Sequence, residues 1–143
     1  MSEVISMMGR ELCGLPVFSL AEDRYLGRVA DFYIHSDDMR LTGISLGKVR
    51  AGRRLRWFSA GSICRIYRDG VIVLSASHGR TPRFIGENNV SYHEFTAASS
   101  IFLPEGEVVS DLIFDESFTV AGYEISGGLW KDLSEGRRAV PRR

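Results

Sequence analysis

One hairpin-like segment occurs twice in this 143-residue chain, and the repeat constrains the fold more than any other feature. The first copy covers residues 26–34, turns through a polar stretch at 35–40 and returns over 41–46. The second copy covers residues 107–114 and returns over 118–125. In each copy, two runs rich in β-branched and aromatic residues flank a short polar turn, which predicts a β-hairpin.

Individual residues repeat together with the hydrophobic pattern. Asp31 recurs as Asp111 at an offset of 80 positions, and Gly43 recurs as Gly122 at an offset of 79. Self-similarity at a nearly fixed offset indicates duplication of one small unit. We expect the repeated aspartates to cap a turn or to bind backbone amides. We expect Gly27 to mark a β-bulge or a close backbone approach.

Three segments of the first copy carry a resemblance to a known family. They are Gly-Leu-Pro-Val-Phe at 14–18, Gly-Arg-Val-Ala-Asp at 27–31 and Trp-Phe-Ser-Ala-Gly-Ser-Ile at 57–63. Together they resemble the PRC-barrel domain. This family is named after the cytoplasmic domain of the photosynthetic reaction-centre H subunit, and it includes the C-terminal domain of a ribosome maturation factor. The resemblance implies small antiparallel β-barrels, a fold that supports many functions.

The predicted fold class is therefore all-β, with PRC-barrel-type units in tandem. A first unit covers residues 10–77, a connecting segment covers 78–99, and a shortened second unit covers 100–138, with one short helix near 129–134. The second unit lacks most of its closing strands, and an open sheet edge invites another strand. The segment 77–99, the N-terminal arm, the first unit or a second copy of the chain could cover this edge.

Composition predicts a protein without a membrane span, a metal or a cofactor. Hydrophobic residues make up 44% of the chain, but the longest apolar runs have the length of a strand. The N-terminus lacks a long apolar stretch, so we expect a cytoplasmic location. Cys13 and Cys64 are expected to be reduced. With the scattered His35, His78 and His93, they form no recognisable set of metal ligands.

Charge is distributed unevenly although the net charge is zero. Residues 9–78 hold eleven Lys and Arg against seven Asp and Glu, whereas residues 100–136 hold one Lys against eight acids, and the last seven residues add four arginines. Three interpretations remain open. The charges are solvated surfaces, they attract the two halves to each other within or between chains, or a phosphate-binding face is formed by Arg50, Arg53, Arg54, Arg56 and the arginines of the C-terminal tail.

The last interpretation makes Trp57 available for stacking on a base. Trp57 has the opposite strand parity to the arginines that are predicted to face the solvent, however, and this parity favours the core.

No pattern in the sequence indicates catalysis. No Ser, Cys or His lies in a recognisable nucleophile context, and the paired acids at 37–38 and 115–116 occupy predicted turns. We predict a non-enzymatic, cytosolic binding or adaptor module that acts through protein–protein contacts, since the best understood PRC-barrel members look like docking domains. The partner is a protein of unknown identity, and a homodimer is an alternative. The alternative functions are an RNA- or ribosome-associated factor, and a small-molecule site between the units.

Overall fold

The computed structural model describes residues 6–47, 56–81, 85–98, 108–126 and 138–141. These residues form two short helices, two 3-10 turns at Ala60–Ser62 and Ala76–His78, and eleven β-strands. In chain order the elements are β1 Met7–Met8, α1 Gly9–Leu12, β2 Pro16–Ser19, β3 Arg24–His35, β4 Leu41–Leu46, β5 Trp57–Ser59, β6 Ile63–Tyr67, β7 Gly70–Val73, β8 Asn89–Ser91, α2 Tyr92–Ala98, β9 Val108–Phe114, β10 Val120–Ser126 and β11 Arg138–Pro141.

The predicted all-β class is confirmed, and both repeated segments are antiparallel hairpins. Strands β3 and β4 form the first hairpin, and strands β9 and β10 form the second hairpin. Among the described residues, no helix has the length and apolar character required to cross a bilayer. The helix predicted near residues 129–134 lies outside the described residues.

The strands belong to two sheets. One has the order β5-β4-β3-β2-β7-β6, with β8 also on β3, and the other has the order β1-β9-β10-β11. Within the described part of the chain, neither sheet closes into the barrel that we expected. Strands β5 and β6 are joined by the 3-10 turn Ala60–Ser62, and they lie at opposite ends of their sheet instead of pairing. One pairing, β2 with β7, is parallel.

Each hairpin receives an edge strand from the segment that precedes the other hairpin. Strand β1 lies N-terminal to the first hairpin, but it pairs with the second, with Met8 opposite Ile113. Strand β8 lies between the hairpins and pairs with the first, with Ser91 opposite Tyr33. The exchanged strands are followed directly by α1 and α2. The edge of β9 is thus covered by the N-terminal arm, one of the candidates that the sequence offered.

The turns of the two hairpins also contact each other symmetrically. The Leu41 amide donates to the Phe118 carbonyl at 2.9 Å, and the Val120 amide donates to the Met39 carbonyl at 2.9 Å. Met39 and Phe118 stand 79 positions apart, the offset of the repeated glycines, and both have positive φ angles, of 59° and 57°. The hairpins are therefore related by a local pseudo-twofold axis that passes between their turns.

We call the two exchanged segments, β1–α1 and β8–α2, the arms. A single hydrophobic core is shared by both hairpins and both arms. The Phe32 ring stacks on Tyr92 with centroids 4.5 Å apart, and it meets the edge of Phe114 at 5.3 Å. These three rings come from β3, α2 and β9. Burial of aromatic rings contributes a large share of a core's stability, so this contact makes the folding of each hairpin depend on the other.

The second hairpin has one of the closing strands that the sequence seemed to lack. Strand β11 pairs with β10 in the position that β5 occupies on β4, since Pro141 lies opposite Gly122 and Ser59 lies opposite Gly43. The connecting segment supplies β8 and α2, and β8 pairs with β3 as one more strand of the first hairpin's sheet. The described residues of the second hairpin's sheet contain no counterpart of β2, β6 and β7.

Alanine at either repeated glycine is expected to destabilise the fold. A Cβ atom at Gly43 would lie 2.5 Å from the Phe58 carbonyl oxygen, and one at Gly122 would lie 2.6 Å from the Val140 carbonyl oxygen. Because both obstacles are backbone atoms, Gly43→Ala and Gly122→Ala should each cost about 1–3 kcal/mol of unfolding free energy, measured by urea denaturation. Gly61→Ala is the control, since its nearest atom is 3.9 Å away. Equal denaturation midpoints for all three variants would contradict the close approach.

Candidate functional site

The second repeated aspartate is completely buried. The Asp111 carboxyl group accepts hydrogen bonds from the Leu112 amide at 2.8 Å, the Tyr92 hydroxyl at 2.6 Å and the Arg10 amide at 3.1 Å. The Arg10 guanidinium lies 3.5 Å from the same carboxyl group and also binds Glu124 at 3.0 Å. One side chain of the second hairpin therefore holds the first turn of α1 and the first residue of α2.

The first repeated aspartate has the reciprocal position. Asp31 accepts a hydrogen bond from the Phe32 amide at 2.8 Å, as Asp111 does from Leu112. Burial raises the pKa of the Asp31 carboxyl group, and interactions with the backbone amides of Tyr92 and His93 oppose this shift. Each aspartate thus accepts a hydrogen bond from its own following amide. Asp31 also lies near the start of α2, whereas Asp111 binds the start of α1 directly. Both bind backbone amides, which is the role that the sequence predicts for them.

The fit around Asp111 requires a glycine at the start of α1. A Cβ atom at Gly9 would lie 2.5 Å from a ring carbon of Tyr92 and 2.6 Å from Asp111 Oδ1. Burial raises the pKa of the Tyr92 hydroxyl, and its hydrogen bond to Asp111 raises the pKa further, so Tyr92 keeps its proton at neutral pH and donates the hydrogen bond to Asp111. We name the contact of Asp111 with Arg10 and Tyr92 the junction.

Sequence reasoning did not identify Arg10, Tyr92 or Gly9 as junction residues. Gly9 and Tyr92 begin α1 and α2, and they stand 83 positions apart, close to the offset of the hairpins. The repeat therefore extends into the arms, but the residues at equivalent places differ in type. Only the offset itself could have shown this relationship.

The chemistry of the junction is structural. Burial raises the pKa of the neighbouring Cys13 thiol to about 12, with further contributions from Asp31 and Asp111. A thiol with this pKa is protonated at neutral pH and is a poor nucleophile. The hydrogen bonds that Asp111 accepts come from two backbone amides and from the Tyr92 hydroxyl. Because these groups occupy the carboxyl group, we assign it no catalytic role.

A cleft lies beside the contact between the hairpin turns. It has a volume of about 540 Å³, within the range typical of ligand and peptide sites. We name it the turn cleft. Its walls come from both hairpin turns, from the 3-10 turn after β5 and from β6, and they are lined by Arg40, Leu41, Ala60, Ile63, Cys64, Arg65, Ile66, Glu116, Ser117 and Phe118.

The turn cleft combines apolar surface with charge. Ile66 is buried at its base, while Arg40, Arg65 and Glu116 are exposed at the rim. Strand β6 is the last strand of its sheet in the described part of the chain, so its outer edge has no sheet partner there. Such an arrangement can hold an extended segment against an apolar base with its polar groups at the rim.

The arginines predicted as a binding face are only partly described. Arg50, Arg53 and Arg54 lie outside the described residues. Arg56 is half-buried rather than fully exposed, and its Nη1 atom is enclosed without a hydrogen-bond partner. Trp57 is buried, as its strand parity predicts.

The three glycines of the predicted motif have distinct roles. At Gly27 the φ angle is 140°, and the register between β2 and β3 shifts beside it, as expected of a bulge. Gly43 and Gly122 instead permit close contact with the neighbouring strand, as described above. All three are positions where a side chain would disturb the sheet.

No protein-family model matches the sequence, and no curated protein matches it. The described residues contain no group of three or more His, Cys, Asp or Glu that could hold a metal ion.

Removal of one hydroxyl group should test the junction. Tyr92→Phe leaves the ring stack on Phe32 intact but deprives the buried Asp111 of a hydrogen-bond donor. We expect a loss of about 1–3 kcal/mol of unfolding free energy in urea, because the desolvation of a buried polar group is then uncompensated. The matched control is Tyr25→Phe, since Tyr25 is 53% exposed. The junction loses its assigned role if both variants unfold at the wild-type midpoint.

Proposed function

We propose that this protein is a non-enzymatic binding module of PRC-barrel type that acts in the cytoplasm through protein–protein contacts. The observation that supports this proposal best is the turn cleft, because it joins surface from both hairpins beside β6, the last strand of its sheet in the described residues. The junction supports it indirectly. The repeated aspartates hold the fold together, so they do not provide a paired acid and base for catalysis.

The partner that fits the turn cleft is a protein with an extended segment that carries an acidic side chain. Strand β6 offers backbone groups on its outer edge, and addition of a strand to such an edge is a common mode of peptide recognition. The apolar side chains of Ile66 and Phe118 can receive aliphatic groups from this segment. Arg40 is exposed at the rim and offers a positive charge to an acidic side chain there.

The RNA- or ribosome-associated role is the second candidate function. It is supported by the excess of basic residues over 9–78 and by the resemblance of the first unit to the ribosome maturation factor domain. Phosphate contacts give such binding a steep dependence on salt concentration. The two candidates therefore differ in their response to salt and to ribonuclease.

A crosslinker placed inside the turn cleft provides a direct test. Cys64 is exposed and lines the cleft, so a maleimide that carries a photoreactive group can be attached there in the folded protein. We expect irradiation in a lysate of the source cell to link a specific protein at Cys64, in moderate salt and after ribonuclease treatment. Arg40→Glu should reduce this product about tenfold, because it reverses the charge at the rim.

Three matched controls define the outcome. Cys64→Ser reports any labelling at the half-buried Cys13, Arg24→Glu reverses an exposed charge outside the cleft, and Ala21→Cys on the Cys64→Ser background moves the crosslinker to a distant turn. The proposal is wrong if the same proteins are linked from position 21 as from Cys64, or if Arg24→Glu and Arg40→Glu have equal effects. Products that disappear with ribonuclease would favour the RNA-associated role.

A further inference from the structure

Strands β2 and β7 form the one parallel pair among the described strands, and neither has a polar residue on the face away from the core. On the core side, Val17 lies opposite Val71 and Ser19 lies opposite Val73, and all four are buried. Successive residues of a strand point to opposite faces, so the intervening residues face away from the core. They are Pro16, Phe18, Gly70 and Ile72. Strands that are covered on both faces have this composition, whereas strands with one wet face alternate apolar and polar residues.

The apolar surface continues onto β3 and past the ends of β2 and β7. The Phe18 ring meets the edge of the Tyr25 ring, with centroids 5.8 Å apart. The Leu20 amide donates to the Val73 carbonyl at 2.9 Å, so the pairing of the two strands extends beyond their last residues. Leu20 and Leu74 each follow an outward residue by two positions and keep its direction. We name this surface the outer strip, and it consists of Phe18, Leu20, Tyr25, Ile72 and Leu74.

The described structure leaves the outer strip uncovered. Leu20 is 64% exposed, Tyr25 is 53% exposed and Leu74 is 42% exposed. Every large hydrophobic side chain that is exposed in the described part of the chain belongs to this strip. Single exposed apolar residues are ordinary on a protein surface, but a contiguous group of them marks an interaction site. The turn cleft is lined by none of these residues, so an inference about the strip does not depend on the proposed function.

We propose that the outer strip is a dimer interface, on which the same strip of a second copy of this chain packs face to face. Two sheets that pack in this way interdigitate the side chains of their facing surfaces. A twofold interface must be complementary to itself, and the interfaces of homodimers are more apolar than those of transient complexes. No residue of the outer strip carries a charge. The strip can therefore lose its water against its own copy without burial of an unpaired charge.

Charges at the two ends of the outer strip are complementary under a twofold rotation. Asp23 is exposed in the turn between β2 and β3 at one end, and Arg28 is exposed at the other end, where it lies opposite Pro16. Within the described residues, neither side chain has an ion-pair partner, whereas Glu22 in the same turn is bound by neighbouring groups. A twofold axis through the middle of the strip brings Asp23 of one copy to Arg28 of the other, twice. A second copy therefore supplies the charges that this face lacks.

Sedimentation equilibrium of the full chain over a range of concentrations tests the proposal. We expect a reversible dimer in the wild type. Leu20→Lys should weaken the dimer about a hundredfold, because it places a charge in the apolar interface. Since Leu20 is exposed in the single chain, this variant should keep the wild-type midpoint in urea. The matched control is Ala121→Lys, at an exposed position of β10 in the other sheet, and it should leave the dissociation constant unchanged.

The charges at the ends of the strip test the twofold arrangement. Asp23→Asn and Arg28→Gln should each weaken the dimer about fivefold at low salt, because either substitution breaks both symmetric ion pairs. The double variant should therefore weaken it no more than a single variant does. Arg24→Gln is the control, since Arg24 lies opposite Ser19 on the core side of the sheet, and it should have no effect. Additive losses in the double variant would contradict the arrangement.

Three outcomes overturn the proposal. The first is a wild-type chain that stays monomeric up to about 1 mM. The second is an equal dissociation constant for Leu20→Lys and Ala121→Lys, because the dimer then uses another surface. The third is a monomeric chain that binds phospholipid vesicles or a different protein through Leu20, because the strip then belongs to that partner. Tyr25→Lys serves as a second variant if Leu20→Lys does not keep the wild-type midpoint in urea.

Discussion

The buried carboxyl group of Asp111 is the interaction on which the rest of this structure depends. It lies in the second hairpin, yet it holds the arm that precedes the first hairpin through Arg10 and the arm that precedes the second through Tyr92. A buried carboxyl group without such donors would be costly. The arms must therefore dock for the core to be stable, and the docked α2 also stacks Tyr92 on Phe32, which contacts Phe114.

Exchange of the arms covers strand edges that the hairpins would otherwise expose. Strand β1 covers β9, and β8 covers part of β3, so an edge of each hairpin is paired within the chain. The same exchange creates one shared core and brings the two hairpin turns together. The pseudo-twofold relationship is incomplete, because β2, β6 and β7 belong to the first hairpin's sheet alone in the described chain. The turn cleft consequently has no described counterpart across the axis.

The turn cleft borders the connection between β5 and β6. The turn cleft has an apolar base with charges of both signs at its rim, and this mixture suits a protein segment. The cleft is lined by none of the junction residues, which hold the fold together.

The sequence by itself determined the all-β class, the two hairpins and the pairing of both repeated aspartates with backbone amides. These features follow from local periodicity and from a repeat offset, which are visible without long-range contacts. Only the tertiary structure decided that the arms exchange and that Tyr92 reaches Asp111. These contacts join residues far apart in the chain. The residues that make these contacts differ in type between the two copies of the repeat, so the repeat does not predict the contacts.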